Sequence, residues 1–185
     1  NVNRVFKFLA AAAGALLLIG AHFWKLSAVP GLHYDEAWAY NFAWRIARDQ
    51  GFWPLSAMSP YTSPWAHFWA AFWLLAFGPS LAVFRTSQIF LALAGLGALC
   101  LALPRHVRIF FPWICFLFPG LLLNHRFAVE LNGLHVFCFG LFCWALREKS
   151  FALACISAIF ATTAHILFYA IPLGLLAATC LGEVR

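Results

Sequence analysis

Long apolar stretches recur along this chain, and short basic clusters separate them. The first stretch, residues 5–26, has about the 20 residues that a helix needs to cross the hydrocarbon core of a bilayer. Hydrophobic residues make up 64% of the sequence and charged residues 10%, whereas soluble domains have about 45–50% and about 25%. The sequence therefore predicts an all-α polytopic membrane protein, in which residues 1–185 form a single transmembrane module.

The positions of the basic residues predict the orientation of the chain. Short cytoplasmic loops are enriched in Lys and Arg, so we expect the clusters at residues 4–7, 105–108 and 147–149 to face the cytoplasm together with the N-terminus. The formal net charge of +6 then reflects topology. Because the basic residues are scattered between apolar stretches, no nucleic acid partner is predicted.

About six transmembrane helices account for the apolar stretches. Residues 64–77 form a stretch that suits an interfacial helix better than a full crossing, because it is too short to span the bilayer. It would lie in a long first outer loop at about residues 27–83, and a second outer loop is expected at about 124–130. If residues 64–77 crossed the membrane, Glu130 would lie on the opposite side from Asp35. The predicted spans are residues 5–26, about 84–103, about 109–123, 131–146 and two short helices after residue 151 that turn near His165.

Two of the six acidic residues, Asp35 and Glu36, stand side by side just beyond the first apolar stretch. Carboxylates near lipid are costly unless a site uses them, so this pair is the first candidate for chemistry. Asp35 is also placed to cap a helix over about residues 36–50, and Glu36 to interact with the dipole of that helix. The Trp and Tyr residues of the helix favour the membrane interface. The sequence leaves both the catalytic and the structural interpretation open.

Several short motifs follow one another in a characteristic order. They are Tyr34-Asp35-Glu36-Ala37, Ser63-Pro64-Trp65, Phe77-Gly78-Pro79-Ser80, Arg85, the loop from Arg126 to Glu130, and Thr163-Ala164-His165. This order resembles the GT-C superfamily of membrane glycosyltransferases, and within it the branch of protein O-mannosyltransferases and bacterial lipid A aminoarabinose transferases. The resemblance covers roughly residues 1–182, and only the region of Asp35 is individually specific. Because such relatives continue beyond six spans, we expect the chain to be a fragment or a shortened form.

The resemblance implies an inverting transfer of a sugar from a polyprenyl-phosphate donor to a hydroxyl acceptor, with the identity of the acceptor left open among lipids, glycans and proteins. The reaction would occur at the outer, periplasmic face of a bacterial inner membrane. Inversion needs one carboxylate to take the acceptor proton, and Asp35 is the candidate base, with Glu36 beside it. The leaving lipid phosphate needs fixed cations, for which Arg85 and Arg126 are candidates.

Other residues are expected around the donor. Glu130 would orient the acceptor or a metal, and His33, Tyr34 and His165 complete the predicted donor-binding set. Each has a structural alternative. The arginines would snorkel at span ends, Glu130 would open a helix, and the histidines would form hydrogen bonds at the interface.

A divalent cation is the main cofactor question. Asp35, Glu36 and Glu130 offer oxygen ligands for Mg²⁺ or Mn²⁺, and some members of the family use a metal while others do not. With a single acidic residue in the second outer loop, we expect no obligatory ion. The sequence has no glycine-rich phosphate loop, so nothing in it requires a bound nucleotide.

A membrane transporter or lipid flippase is the alternative function. Arg, His and Glu residues scattered among spans are typical of solute pathways. The long aromatic outer loop and the lack of internal repeats favour glycosyl transfer.

Overall fold

The computed structural model describes residues 2–29, 31–52, 54, 64–126 and 132–164. The regular secondary structure in these ranges is helical, which confirms the predicted all-α class. The helices are α1 (Val2–Phe23), α2 (Tyr34–Arg48), α3 (Trp65–Phe77), α4 (Leu81–Ala102), α5 (Arg105–Arg108), α6 (Phe111–Leu117), α7 (Pro119–Arg126), α8 (Asn132–Arg147) and α9 (Phe151–Ala164).

Two of the described helices, α1 and α4, are long and apolar enough to cross a membrane. They correspond to the first two predicted spans, whereas α3, α8 and α9 are apolar but shorter. The predicted span at residues 109–123 is not one continuous helix. Pro119 disfavours helical geometry in the residue before it, and Phe118 accordingly leaves the helix with φ −100° and ψ 89°. The last predicted span, with the turn near His165, lies outside the described residues.

Among the helices that the structure describes, α4 and α8 have the most extensive contact, and glycines allow their backbones to touch. Gly133 lies against the carbonyl of Gln88, and Gly140 lies against the carbonyl of Gly95. A Cβ atom at either glycine of α8 would overlap that backbone. Because the residue numbers rise together along both helices, α4 and α8 run in the same direction.

Two arginines donate hydrogen bonds to carbonyls at the C-terminal end of α4. Arg108 Nε donates to the carbonyl of Leu103 at 3.0 Å, and its Nη2 donates to that of Leu101 at 2.6 Å. Arg147, at the end of α8, donates from Nη1 to the carbonyl of Ala102 at 2.8 Å. The last carbonyls of a helix lack partners within it and carry partial negative charge, so cations stabilise this end.

Helix α1 runs in the same direction as α6 and α7. Trp113 Nε1 donates to the carbonyl of Ala10 at 2.9 Å, and His22 Nε2 lies 3.2 Å from His125 Nδ1. The start of α1 therefore lies at the same end of the bundle as Arg108 and Arg147. The opposite end carries the start of α4, the end of α7 and helix α2.

Candidate functional site

A fully buried ion pair joins α2 to α4. Arg85 Nε donates to Glu36 Oε1 at 2.6 Å, and Arg85 Nη2 donates to Glu36 Oε2 at 2.7 Å, with both side chains 0% exposed. This is the two-pronged geometry that a planar guanidinium, but not an ammonium group, makes with a carboxylate. Arg85 Nη1 also donates to the carbonyl of Leu26 at 2.6 Å, and Nη2 to that of Gly31 at 3.2 Å. Arg85 thus fixes the start of α2 and the segment before it.

The neighbouring carboxylate, Asp35, points the other way. Its side chain is 55% exposed, and Oδ2 lies 3.6 Å from Nδ1 of His33. Successive residues on a helix are rotated by about 100°, so one member of the pair faces inward while the other faces outward. Asp35 is the carboxylate that another molecule can reach.

The residue that caps α2 is His33 and not Asp35, so the predicted cap was wrong. His33 has extended backbone angles, and its Nδ1 accepts from the backbone N–H of Asp35 at 3.3 Å. The helix begins at Tyr34, which places Asp35 and Glu36 in its first turn. The carboxylates there interact favourably with the positive end of the helix dipole.

The inward face of α2 explains how the sequence directs Glu36 into the protein. Glu36, Ala39 and Ala43 are buried and recur at a spacing of three or four residues. The ring of Tyr40 packs edge-on against Phe84, one residue before Arg85. This apolar contact between α2 and α4 holds the two partners of the ion pair in register.

Arg126, at the end of α7, contacts the same segment as Arg85. Its Nη1 donates to the carbonyl of Ala21 at 3.0 Å, and Nη2 donates to the carbonyls of Trp24 and Val29. The residue is 6% exposed, and its Nε is buried with no hydrogen-bond partner among the residues that the structure describes.

The two arginines hold a backbone conformation that would otherwise be disfavoured. Lys25 has a φ of 46°, in the left-handed region that residues with a Cβ rarely adopt. Its neighbours Trp24 and Leu26 are bound through their carbonyls by Arg126 and Arg85 respectively. The segment between α1 and α2 is therefore organised around two guanidinium groups from two other helices.

A buried pair of histidines lies beside Arg126. His22 Nε2 and His125 Nδ1 are 3.2 Å apart, and the rings stack with centroids 5.5 Å apart. His22 Nδ1 lies 2.8 Å from the carbonyl of Leu18, to which it can only donate. In the neutral pair, His125 Nδ1 must then donate to His22 Nε2. Sequence reasoning missed this pair, because no motif connects residues 103 positions apart.

An apolar cavity of about 600 Å³ opens next to Arg126. It lies between α1 and the α6–α7 segment. A second cavity, of about 250 Å³, lies between α1, α4 and the start of α6 and is lined in part by Gly97.

The structure brings together most of the predicted site residues that it describes. His33, Tyr34, Asp35, Glu36 and Arg85 meet at the start of α2, where Tyr34 is exposed. Arg126 reaches the segment just before them. Glu130 and His165 lie outside the described residues.

The described residues do not form a group of three or more His, Cys, Asp or Glu side chains that could hold a metal ion. Both oxygens of Glu36 bind Arg85, which leaves Asp35 as the exposed carboxylate of the pair. Glu130, the third predicted ligand, is outside the described part of the chain.

No family model matches the sequence, and no match was found among the curated proteins or the solved structures. The resemblance to the GT-C superfamily thus depends on the motifs in the sequence.

Proposed function

We propose that this chain is a membrane glycosyltransferase module that transfers a sugar from a polyprenyl-phosphate donor to a hydroxyl acceptor, with Asp35 as the general base. The observation that carries the proposal is that the two carboxylates of the acidic pair have different surroundings. Glu36 is locked in a buried ion pair with Arg85, and this contact fixes the first turn of α2. Asp35, on the same turn, is held in place but exposed.

The proposed membrane arrangement keeps the six predicted spans, with α1 and α4 as the two long ones. The basic residues at the ends of α4 and α8 would face the cytoplasm. The start of α2 lies at the other end of the bundle, so Asp35 would face the periplasm of a bacterial inner membrane. Support comes from the parallel course of α4 and α8, which an intervening outward crossing through α6 and α7 would produce.

In the proposed reaction, the acceptor hydroxyl gives its proton to Asp35 as its oxygen forms the new bond to the anomeric carbon. The bond between that carbon and the phosphate oxygen breaks, and the lipid phosphate leaves with the electron pair. Positive charge close to Asp35 comes from the dipole at the start of α2. One carboxylate is enough for a direct displacement with inversion.

The contacts of Glu36 and Arg85 favour positioning roles for both. Arg85 donates to Glu36 and to two backbone carbonyls, and its side chain is fully buried. Its charge is balanced by Glu36. In the part of the chain that the structure describes, Arg126 makes no ion pair, so its charge is the one that a phosphate would balance.

The test is a transfer assay in membranes with a radiolabelled polyprenyl-phosphate hexose. Asp35→Asn is almost isosteric and removes only the basic oxygen, so we expect turnover to fall by about a hundredfold or more. Asp49→Asn is the matched control, because Asp49 is also an exposed aspartate and caps the other end of α2. Full turnover by Asp35→Asn, or an equal loss in both variants, would contradict the role of Asp35.

A transporter or flippase is the second candidate function. The His22–His125 pair favours it, since buried ionisable side chains in apolar helices are typical of proton and solute pathways. Flux of the labelled lipid across proteoliposomes, unchanged in Asp35→Asn and lost in His22→Phe, would support transport over transfer.

A further inference from the structure

The larger apolar cavity is a groove between α1 and the α6–α7 segment. On α1 its lining residues recur every three or four positions, which places them along one face of the helix. On the other side the lining residues span the break between α6 and α7. The lining includes Leu16, Leu17, Gly20 and Ala21 of α1 and Pro119 and Arg126 of the α6–α7 segment.

The sequence explains why the groove is open. Gly20 and Ala21 have too little side chain to fill the space, and a Cβ atom at Gly20 would meet nothing within 4 Å. Pro119 interrupts the facing helix, so its turns do not pack continuously against α1. Leu16 and Leu17 are exposed, which opens the groove to the outer surface of the bundle.

The groove ends at a buried cation. Arg126 lines it and is 6% exposed, and within the described ranges of the chain its buried Nε has no hydrogen-bond partner. In the described part of the chain, the ion pairs of 4.0 Å or less include none with Arg126, whereas Arg85 is neutralised by Glu36. Because a buried charge is costly unless it is paired, the apolar surroundings of Arg126 favour an anion at this end of the groove.

We propose that this groove binds an anionic glycerophospholipid of the bilayer, with one acyl chain along α1 and the phosphate against Arg126. An anion with a long apolar tail matches both the charge at one end and the apolar lining of the rest. Bilayer phospholipid enters through the outer surface and is present at far higher concentration than a sugar donor, which favours its occupancy by mass action. The inference rests on the proposed membrane location, and it does not depend on glycosyl transfer.

The bound lipid would stabilise the conformation of the segment between α1 and α2. Its phosphate would supply a counter-ion to Arg126, whose Nη atoms bind the carbonyls of Ala21, Trp24 and Val29. The lipid would therefore act as a structural ligand of the segment that leads into Asp35.

The test is a titration of the purified full chain in detergent with phosphatidylglycerol, and separately with phosphatidylcholine and with a polyprenyl phosphate. Binding is counted by native mass spectrometry. We expect phosphatidylglycerol to bind about one per chain and about tenfold more tightly than phosphatidylcholine, because its net charge is not cancelled by a choline.

Two glycine substitutions form a matched pair. Gly20→Leu should fill the groove and reduce phosphatidylglycerol binding by about tenfold or more. Gly97→Leu is the control, since Gly97 also has nothing within 4 Å of an added Cβ but lines the other cavity. Circular dichroism of both variants reports whether they fold, independently of any enzymatic activity.

Equal binding by Gly20→Leu and Gly97→Leu would overturn the proposal, as would equal affinities for the two phospholipids. Displacement of phosphatidylglycerol by stoichiometric polyprenyl phosphate would also overturn it, and would return Arg126 to the donor role predicted from the sequence. Loss of transfer activity in Asp35→Asn has no bearing on these outcomes, so the two proposals fail separately.

Discussion

Removing the charge of Glu36 should destabilise this protein far more than removing the charge of an exposed pair on the same helix. Glu36→Gln leaves the guanidinium of Arg85 fully buried and without its counter-ion. Breaking a buried ion pair by changing one partner costs about 3–5 kcal/mol. The cost should lie in the upper part of that range, because both hydrogen bonds to Glu36 are short and neither side chain is exposed.

The control is the Arg45–Asp49 pair, four residues apart on the same helix. Its nitrogen and oxygen are 3.2 Å apart, but the side chains are 50% and 45% exposed. Exposed pairs of this kind contribute about 0–1 kcal/mol, and the guanidinium of Arg45 also lies 4.1 Å from the ring centroid of Phe52, so Arg45→Gln should cost about 1 kcal/mol. The contrast separates the effect of burial from the effect of losing a charge on α2.

The assay is equilibrium unfolding in mixed micelles, followed by far-ultraviolet circular dichroism. A double variant, Glu36→Leu with Arg85→Met, should cost less than the sum of the two single changes, since it leaves no buried charge unpaired. The carbonyls of Leu26 and Gly31 would still lose their donor, so recovery should be partial. If the free energies of unfolding of Glu36→Gln and Arg45→Gln differ by less than about 1 kcal/mol, the reasoning about the buried pair is refuted.

Two further predictions concern packing and orientation. Gly140→Leu should destabilise the fold by about 1–3 kcal/mol in the same unfolding assay, because its side chain meets the backbone at Gly95; unchanged stability would contradict the close contact. In a background without the native cysteines, an impermeant thiol reagent applied from the periplasmic side should label Gly31→Cys and leave Arg105→Cys unlabelled, and the reverse pattern would invert the proposed topology.

Local sequence signals predicted the helices well. The expected helix over about residues 36–50 is Tyr34–Arg48, and the expected interfacial helix over 64–77 is Trp65–Phe77. Apolar runs and flanking Gly and Pro residues determine such elements within a few positions of the chain. The second span was expected to begin at about residue 84, whereas α4 begins at Leu81, because Ser80 caps it by accepting from the backbone N–H of Val83 at 3.1 Å.

The pairings across the bundle could not be predicted in this way. Glu36 and Arg85 are 49 residues apart, and nothing local to either residue indicates that they bind each other. The sequence left open whether Glu36 is structural or catalytic, and only the contact with Arg85 favours the structural role. Pro119 disfavours a helical conformation in the residue before it. The predicted span nevertheless included Pro119, because the prediction followed the average hydrophobicity of residues 109–123.

The glycine contacts between α4 and α8 restrict how the acidic site can move. Arg85, which binds Glu36, lies about one turn before Gln88 on α4. The carbonyl of Gln88 touches Gly133 of α8, so Arg85 lies beside a direct backbone contact between two helices. Side chains can change rotamer to absorb a shift, but backbone in direct contact cannot. Any widening that admits an acceptor to Asp35 should therefore come from displacement of α3, while the start of α2 and the α4–α8 pair stay stationary.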